Sequence, residues 1–190
     1  MGIKKPGPKL LIVAMVVLLL TWLNPNAFAK TVAVKGSAQG TGLTANFSFD
    51  GVTPALSIIS TGKDNLGGTF NTQDVGEYAF TATSCTAPDG SAGVEFVLVQ
   101  AAGVTNYKGG QIYTSGTAAA GNSGCASNTT GSFGLTETAS VIGGTGKFAN
   151  ASGSSIFTVT GTTLAAPGSP PGKLGDFNAF QDTFSGSVTF

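Results

Sequence analysis

Beyond residue 30 the chain is written in short runs whose apolar and polar side chains alternate, the two-residue period of a strand with one buried face. In 43–49 the period is clean and sets Leu43, Ala45, Phe47 and Phe49 on one side. In 77–84 it groups Tyr78, Phe80 and Ala82. In 132–141 it groups Phe133, Leu135, Glu137, Ala139 and Val141. Further strands are predicted over 31–38, 55–60, 110–115, 154–162 and 183–190, with a weaker one over 68–72. Residues 93–100 are apolar on both faces, which predicts a central strand. Asp50-Gly51 marks a turn, and 118–130 and 165–176 read as long loops within one domain. No helical stripe appears. Strands at this spacing predict an all-β fold, either a sandwich or a closed barrel.

One segment breaks the alternation. Lys4, Lys5 and Lys9 precede an unbroken apolar run from Leu10 to Leu23, and Ala27-Phe28-Ala29 ends the segment with small residues. A basic start, an apolar centre and an A-x-A site are the marks of a bacterial-type secretory signal peptide. A spanning helix wants about 20 apolar residues, and this run stops before Asn24-Pro25-Asn26. The expectation is a signal peptide over 1–29, cleaved after Ala29, and an exported domain over 30–190. Its destination would be the periplasm, the medium or the cell surface.

Charge then narrows the partners. The chain has nine lysines, no arginine, nine acids and no histidine. Cleavage after Ala29 would leave six lysines against nine acids, a net charge of −3. That balance is a poor electrostatic match for nucleic acid. The two cysteines, Cys85 and Cys125, both lie in the exported part, in surroundings that read as loops. An even count in an oxidising compartment predicts a disulfide between them. Closing a loop of that length would stabilise the fold by roughly 4 kcal/mol. Two cysteines without histidine make an incomplete zinc site, so neither metal nor cofactor is expected.

Residues 141–161 carry the most specific motif. The run Val141-Ile-Gly-Gly-Thr-Gly-Lys-Phe-Ala-Asn-Ala-Ser-Gly places a glycine turn at Gly143, Gly144 and Gly146 between two strands, with Phe148, Ala151 and Gly153 after it. A tight connection needing positive φ angles accounts for the three glycines. A phosphate loop would need another glycine spacing and a Ser or Thr after the lysine, where Phe148 stands. The motif resembles the Gly-Gly-Thr-Gly-Lys/Arg-Phe signature of the dirigent and allene oxide cyclase-like β-barrels, a family with secreted bacterial members. The resemblance implies an eight-stranded, calycin-like antiparallel barrel. It transfers no active-site residues, and the turn itself is a marker of fold.

Without histidine there is no Ser-His or Cys-His nucleophile, so acid–base chemistry falls to carboxylates, lysines and tyrosines. Glu137 is the first weak catalytic candidate, because it shares its strand face with apolar residues. Turned inward, it would have a raised pKa and could serve as a base or ligand anchor. Glu95, between Val94 and Phe96, is the second. The commoner outcome is a bulge or strand end that turns each to solvent, and that is the expectation. Asp176 and Asp182 flank a loop as any two aspartates might, and are not read as a glycosidase pair. The C-terminal alternation of Phe184, Gly186, Val188 and Phe190 predicts a closing strand with Phe190 in the core. Outer-membrane barrels end in a similar way, but with three tyrosines and no tryptophan after residue 29 the chain lacks material for two aromatic girdles. The reading is a secreted barrel that binds a small apolar ligand or an envelope component without catalysis. A cyclase- or dirigent-like enzyme and a structural surface or outer-membrane barrel protein are the alternatives.

Overall fold

The structure is a computed structural model and describes residues 29–45, 55–164 and 176–190. The signal segment, Phe47, Phe49 and the Asp50-Gly51 turn lie outside the described residues. Residues Thr31–Phe190 form one compact unit. Its described residues form nine antiparallel strands: β1 (Thr31–Ala45), β2 (Ala55–Asp64), β3 (Gly68–Thr86), β4 (Ala92–Tyr107), β5 (Gly110–Thr117), β6 (Ser123–Ser127), β7 (Ser132–Gly144), β8 (Ser152–Leu164) and β9 (Phe177–Thr189). There is no α-helix among the described residues, as the alternation predicts.

Hydrogen bonding runs in a ring. In the order β1, β2, β3, β4, β5, β7, β8, β9 each strand pairs with the next, and β9 pairs with β1 from Thr31↔Thr189 to Leu43↔Phe177. Eight strands make the circuit, and β6 is an addition to it. β4 pairs with β5 along Gln100–Tyr107 and with β6 along Gly93–Val97. β7 likewise pairs with β5 at one end and β6 at the other. Thus β6 continues the line of β5 after an excursion over 118–122. The Asn122 side chain bridges that excursion: its amide donates to the Thr117 and Thr138 carbonyls, and its oxygen accepts from the Thr138 N–H. With those backbone groups satisfied by a side chain, Asn122 is tolerated at 4% exposure.

Several expected boundaries move. The segments 31–38 and 43–49 belong to one strand as far as Ala45, and 68–72 and 77–84 merge into β3. The expected loop 118–130 contains β6, and β9 starts at Phe177. Leu43 is 46% exposed, so its side of β1 is the outer one. The common cause is glycine. In the sequence it reads as punctuation; in the fold, many glycines sit inside strands where a neighbour needs their missing side chain. The Phe184 ring lies over Gly36 and the Phe180 ring over Gly40, each so close that a Cβ would meet it at under 3 Å. Large rings set against absent side chains let one circuit of strands close without overfilling.

One end of the ring is plugged. After β7 a short 3-10 turn, Gly146–Phe148, folds across it and buries Phe148 at 2% exposure with Val34, Ile112, Val141, Ala151 and Val188. Tyr107, Phe184 and Phe190 pack on this cluster, and the Phe148 and Phe190 rings lie 6.0 Å apart. Of the three marker glycines, Gly146 has a left-handed φ of 59°, as expected. Gly143 also has a positive φ, 159°, at a bulge opposite Tyr113. Gly144 differs: it is needed for space, since a Cβ would sit 2.4 Å from the Phe148 carbonyl.

Candidate functional site

Inside the ring lies a cavity of about 150 Å³ to which strands from the whole circuit contribute. Its walls follow from strand parity. On β7 the alternate residues Phe133, Leu135, Glu137, Ala139 and Val141 all line it, and on β9 Phe180, Asp182 and Phe184 do. The residues between them, such as Thr136, Thr138, Thr183 and Ser185, face out and are exposed. The inner surface is largely apolar, with a minority of hydroxyl, amide and acidic side chains, three of them carboxylates.

Glu137 lines this cavity, where the sequence had it turned to solvent, because β7 runs through position 137 without a bulge. It accepts a hydrogen bond from the Tyr78 hydroxyl at 3.1 Å. Burial raises its pKa, the Tyr78 bond opposes the rise, and the charge of Asp182 adds to it. Asp74, on β3, is pushed up to about 7, chiefly by burial, with a hydrogen bond from Thr72 opposing and the charges of Glu137 and Asp182 adding. Its carboxylate lies over Gly103 of β4, at 1.7 Å from where a Cβ would be, so the glycine makes its seat. Asp182 is also raised by burial, though it accepts the Ala38 N–H at 3.0 Å. Burial raises the Tyr78 hydroxyl as well, and so does the Glu137 charge.

At the plugged end Tyr107 lines the cavity and donates its hydroxyl to Asp64. Burial comes first among the causes that lift its pKa, followed by that bond. Among the described residues no group of three or more His, Cys, Asp or Glu side chains comes close enough to hold a metal ion. The three cavity carboxylates therefore approach from separate walls and do not converge on a point.

Glu95 is elsewhere. It is half-buried, accepts the Thr81 hydroxyl at 2.9 Å and does not line the cavity. Asp176 does not line it either, which separates it from Asp182. The sequence pattern does not single out Asp74. Its strand reads as two fragments, 68–72 and 77–84, with Asp74 in the gap. A continuous alternation of Phe70, Thr72 and Asp74 was the available signal.

Cys85 and Cys125 are joined by a disulfide, with Cα atoms 5.9 Å apart. They lie in strands β3 and β6 and not in loops. Both strands flank β4, and the bridge passes over Gly93, where a Cβ would lie 2.9 Å from the Cys125 sulfur. The bond fits an oxidising, exported compartment. No helix of the described residues is long and apolar enough to cross a membrane. No protein-family model matches the chain, and no curated protein or solved structure matches it either.

Proposed function

We propose that this is an exported, calycin-like closed barrel of the dirigent and allene oxide cyclase type that holds one small, largely apolar ligand in its interior. The observation that carries the reading is the apolar cavity inside the ring of strands. Its volume matches a single-ring molecule, since apolar cavities of about 150 Å³ accept benzene. Small barrels of this strand number have room for one such ligand. Export is supported by the sequence of residues 1–29 and by the Cys85–Cys125 bond. The outward rows on β7, β8 and β9 are mostly Ser and Thr, as in Thr136↔Thr158↔Thr183, and the exposed Ile142, Ile156, Leu164 and Phe177 interrupt them singly. A lipid-facing barrel needs an apolar band there, so the outer-membrane alternative gains no support.

Native mass spectrometry of protein isolated from the exported fraction of its source tests this. A non-covalent adduct of small-molecule mass, lost on unfolding, is the expected result. Protein that is ligand-free from its source and gains no adduct from a library of small apolar compounds would overturn the reading.

One observation favours a second reading, a cyclase- or dirigent-like enzyme: the Tyr78–Glu137 pair inside the cavity. A buried carboxylate with a raised pKa is suited to proton transfer. Under that reading Glu137→Gln abolishes turnover of the ligand while the melting temperature holds. Recovery of the ligand chemically unchanged after incubation favours binding alone.

A further inference from the structure

We infer that the cavity selects a compact molecule carrying a protonated amine on an apolar body, with the ammonium held among Asp74, Glu137 and Asp182. The inference rests on the ligand-binding reading above and names the chemistry of the ligand.

The argument begins with the charges around the cavity. β3 contributes Asp74 and Tyr78, β7 Glu137, β9 Asp182 and β4 Tyr107. The lining residues of β1, β2, β5 and β8 are apolar or hydroxyl-bearing, and among the described residues no lysine lines the space. Three carboxylates thus share a largely apolar cavity that no described cation lines. Buried charges are ordinarily paired, because leaving water unpaired costs several kcal/mol per ion. The protein meets that cost by holding the groups towards their neutral forms. A bound ammonium would meet it by neutralisation, relieving the repulsion among the three.

Hydrogen-bond supply points the same way. Tyr78 donates to Glu137 and Tyr107 to Asp64, so the tyrosine donors are committed. Ionised carboxylates only accept. A ligand group that brings donors suits these acceptors, and an ammonium brings three, enough to reach the nearest of them. A metal ion would need its ligands gathered around one point, which these are not. A fatty acid or other anion would add a fourth negative charge. The rest of the lining, including Phe133, Phe157 and Phe184, suits an apolar body and presents ring faces that attract a cation.

The test is calorimetric titration of the purified protein with three probes of similar shape: benzylamine, benzyl alcohol and benzoate. At pH 8 benzylamine should bind at least about tenfold more tightly than benzyl alcohol, and benzoate should not bind. At pH 5, with Asp74 protonated, the preference for the amine should shrink. Asp74→Asn and Asp182→Asn should each weaken benzylamine several times more than benzyl alcohol. Gly103→Ala, which keeps the carboxylate but pushes it from its seat, should do the same if either aspartate variant fails to fold. Equal affinity for amine and alcohol, or a preference for benzoate, would overturn the amine inference and leave the cavity reading standing. Failure of all three probes together with a ligand-free native protein would remove the cavity reading, and the inference with it.

Discussion

Asp74 shows how much one residue's surroundings decide. In the unfolded chain its carboxyl has an ordinary value of 3.8, whereas in the fold it is pushed up to about 7. Between those values the folded form holds the proton that the unfolded form has lost. The folded state is therefore favoured by this group below about pH 4, and the advantage disappears as pH rises through 7. Glu137 and Asp182, also raised, act in the same direction. Asp89 acts oppositely, because hydrogen bonds from Ser91 and then Thr130 lower it, but only at acid pH. The melting temperature should accordingly fall between pH 5 and pH 8, against the usual acid lability of proteins. Asp74→Asn should flatten the profile and stabilise the protein at pH 8 by about 1–3 kcal/mol, the removal of a poorly solvated charge. Thermal melts of both proteins across that range check it, and parallel profiles would show that Asp74 is better hydrated than its position implies.

At the scale of elements, the long β3–β4 hairpin is tied to β6 by the disulfide. Cys85 near the end of β3 is joined to Cys125 in β6, which closes a loop of 40 residues. On the chain-entropy estimate this is worth roughly 4 kcal/mol. Replacing both cysteines by serine should lower stability by about that amount in denaturant titrations, while the strand content by circular dichroism is kept. Intact mass should rise by two hydrogens on reduction. Free thiols in protein purified under oxidising conditions would contradict the bond, and collapse of the fold on reduction would mean the core counts for less than its packing implies. The same element scale explains the missed β6. Ala118–Thr130 is rich in Gly, Ser and Asn and reads as loop, yet its second half pairs with both β4 and β7. Pairing on both sides supplied what local propensity did not.

For the whole molecule, closure is the decisive event. β1 and β9, from opposite ends of the domain, pair along thirteen registered positions, Thr31↔Thr189 to Leu43↔Phe177. Val188 is 2% exposed, and Phe190, partly buried, packs on the plug around Phe148. The expected core position of the terminal ring is thus met at the rim of the core. Removing 188–190 would uncover the ends of β1 and β8 together and forfeit about 1.5–3 kcal/mol for Val188 alone. Aggregated or degraded protein is the expected result, whereas loss of Lys30 and Thr31, both exposed, should be nearly neutral. A soluble truncated protein with an unchanged melting temperature would show that the seam closes without its last residues.

The sequence alone determined what depends on neighbours in the chain. Alternation made the domain all-β, the paired cysteines implied their bond, and the 132–141 run put Glu137 on the side of Phe133 and Val141. It could not say which side of that strand looked inward, because parity is symmetric until a sheet curves and closes. Nor could it separate glycines that turn the chain from glycines that make room, as Gly103 does for Asp74. Both depend on atoms distant in sequence. Asp74, Glu137 and Asp182 come from three strands far apart along the chain, and only ring closure brings them to one cavity. Their shared space, and the raised pKa values it imposes, exist nowhere in the linear pattern, since burial and mutual charge are properties of the folded enclosure.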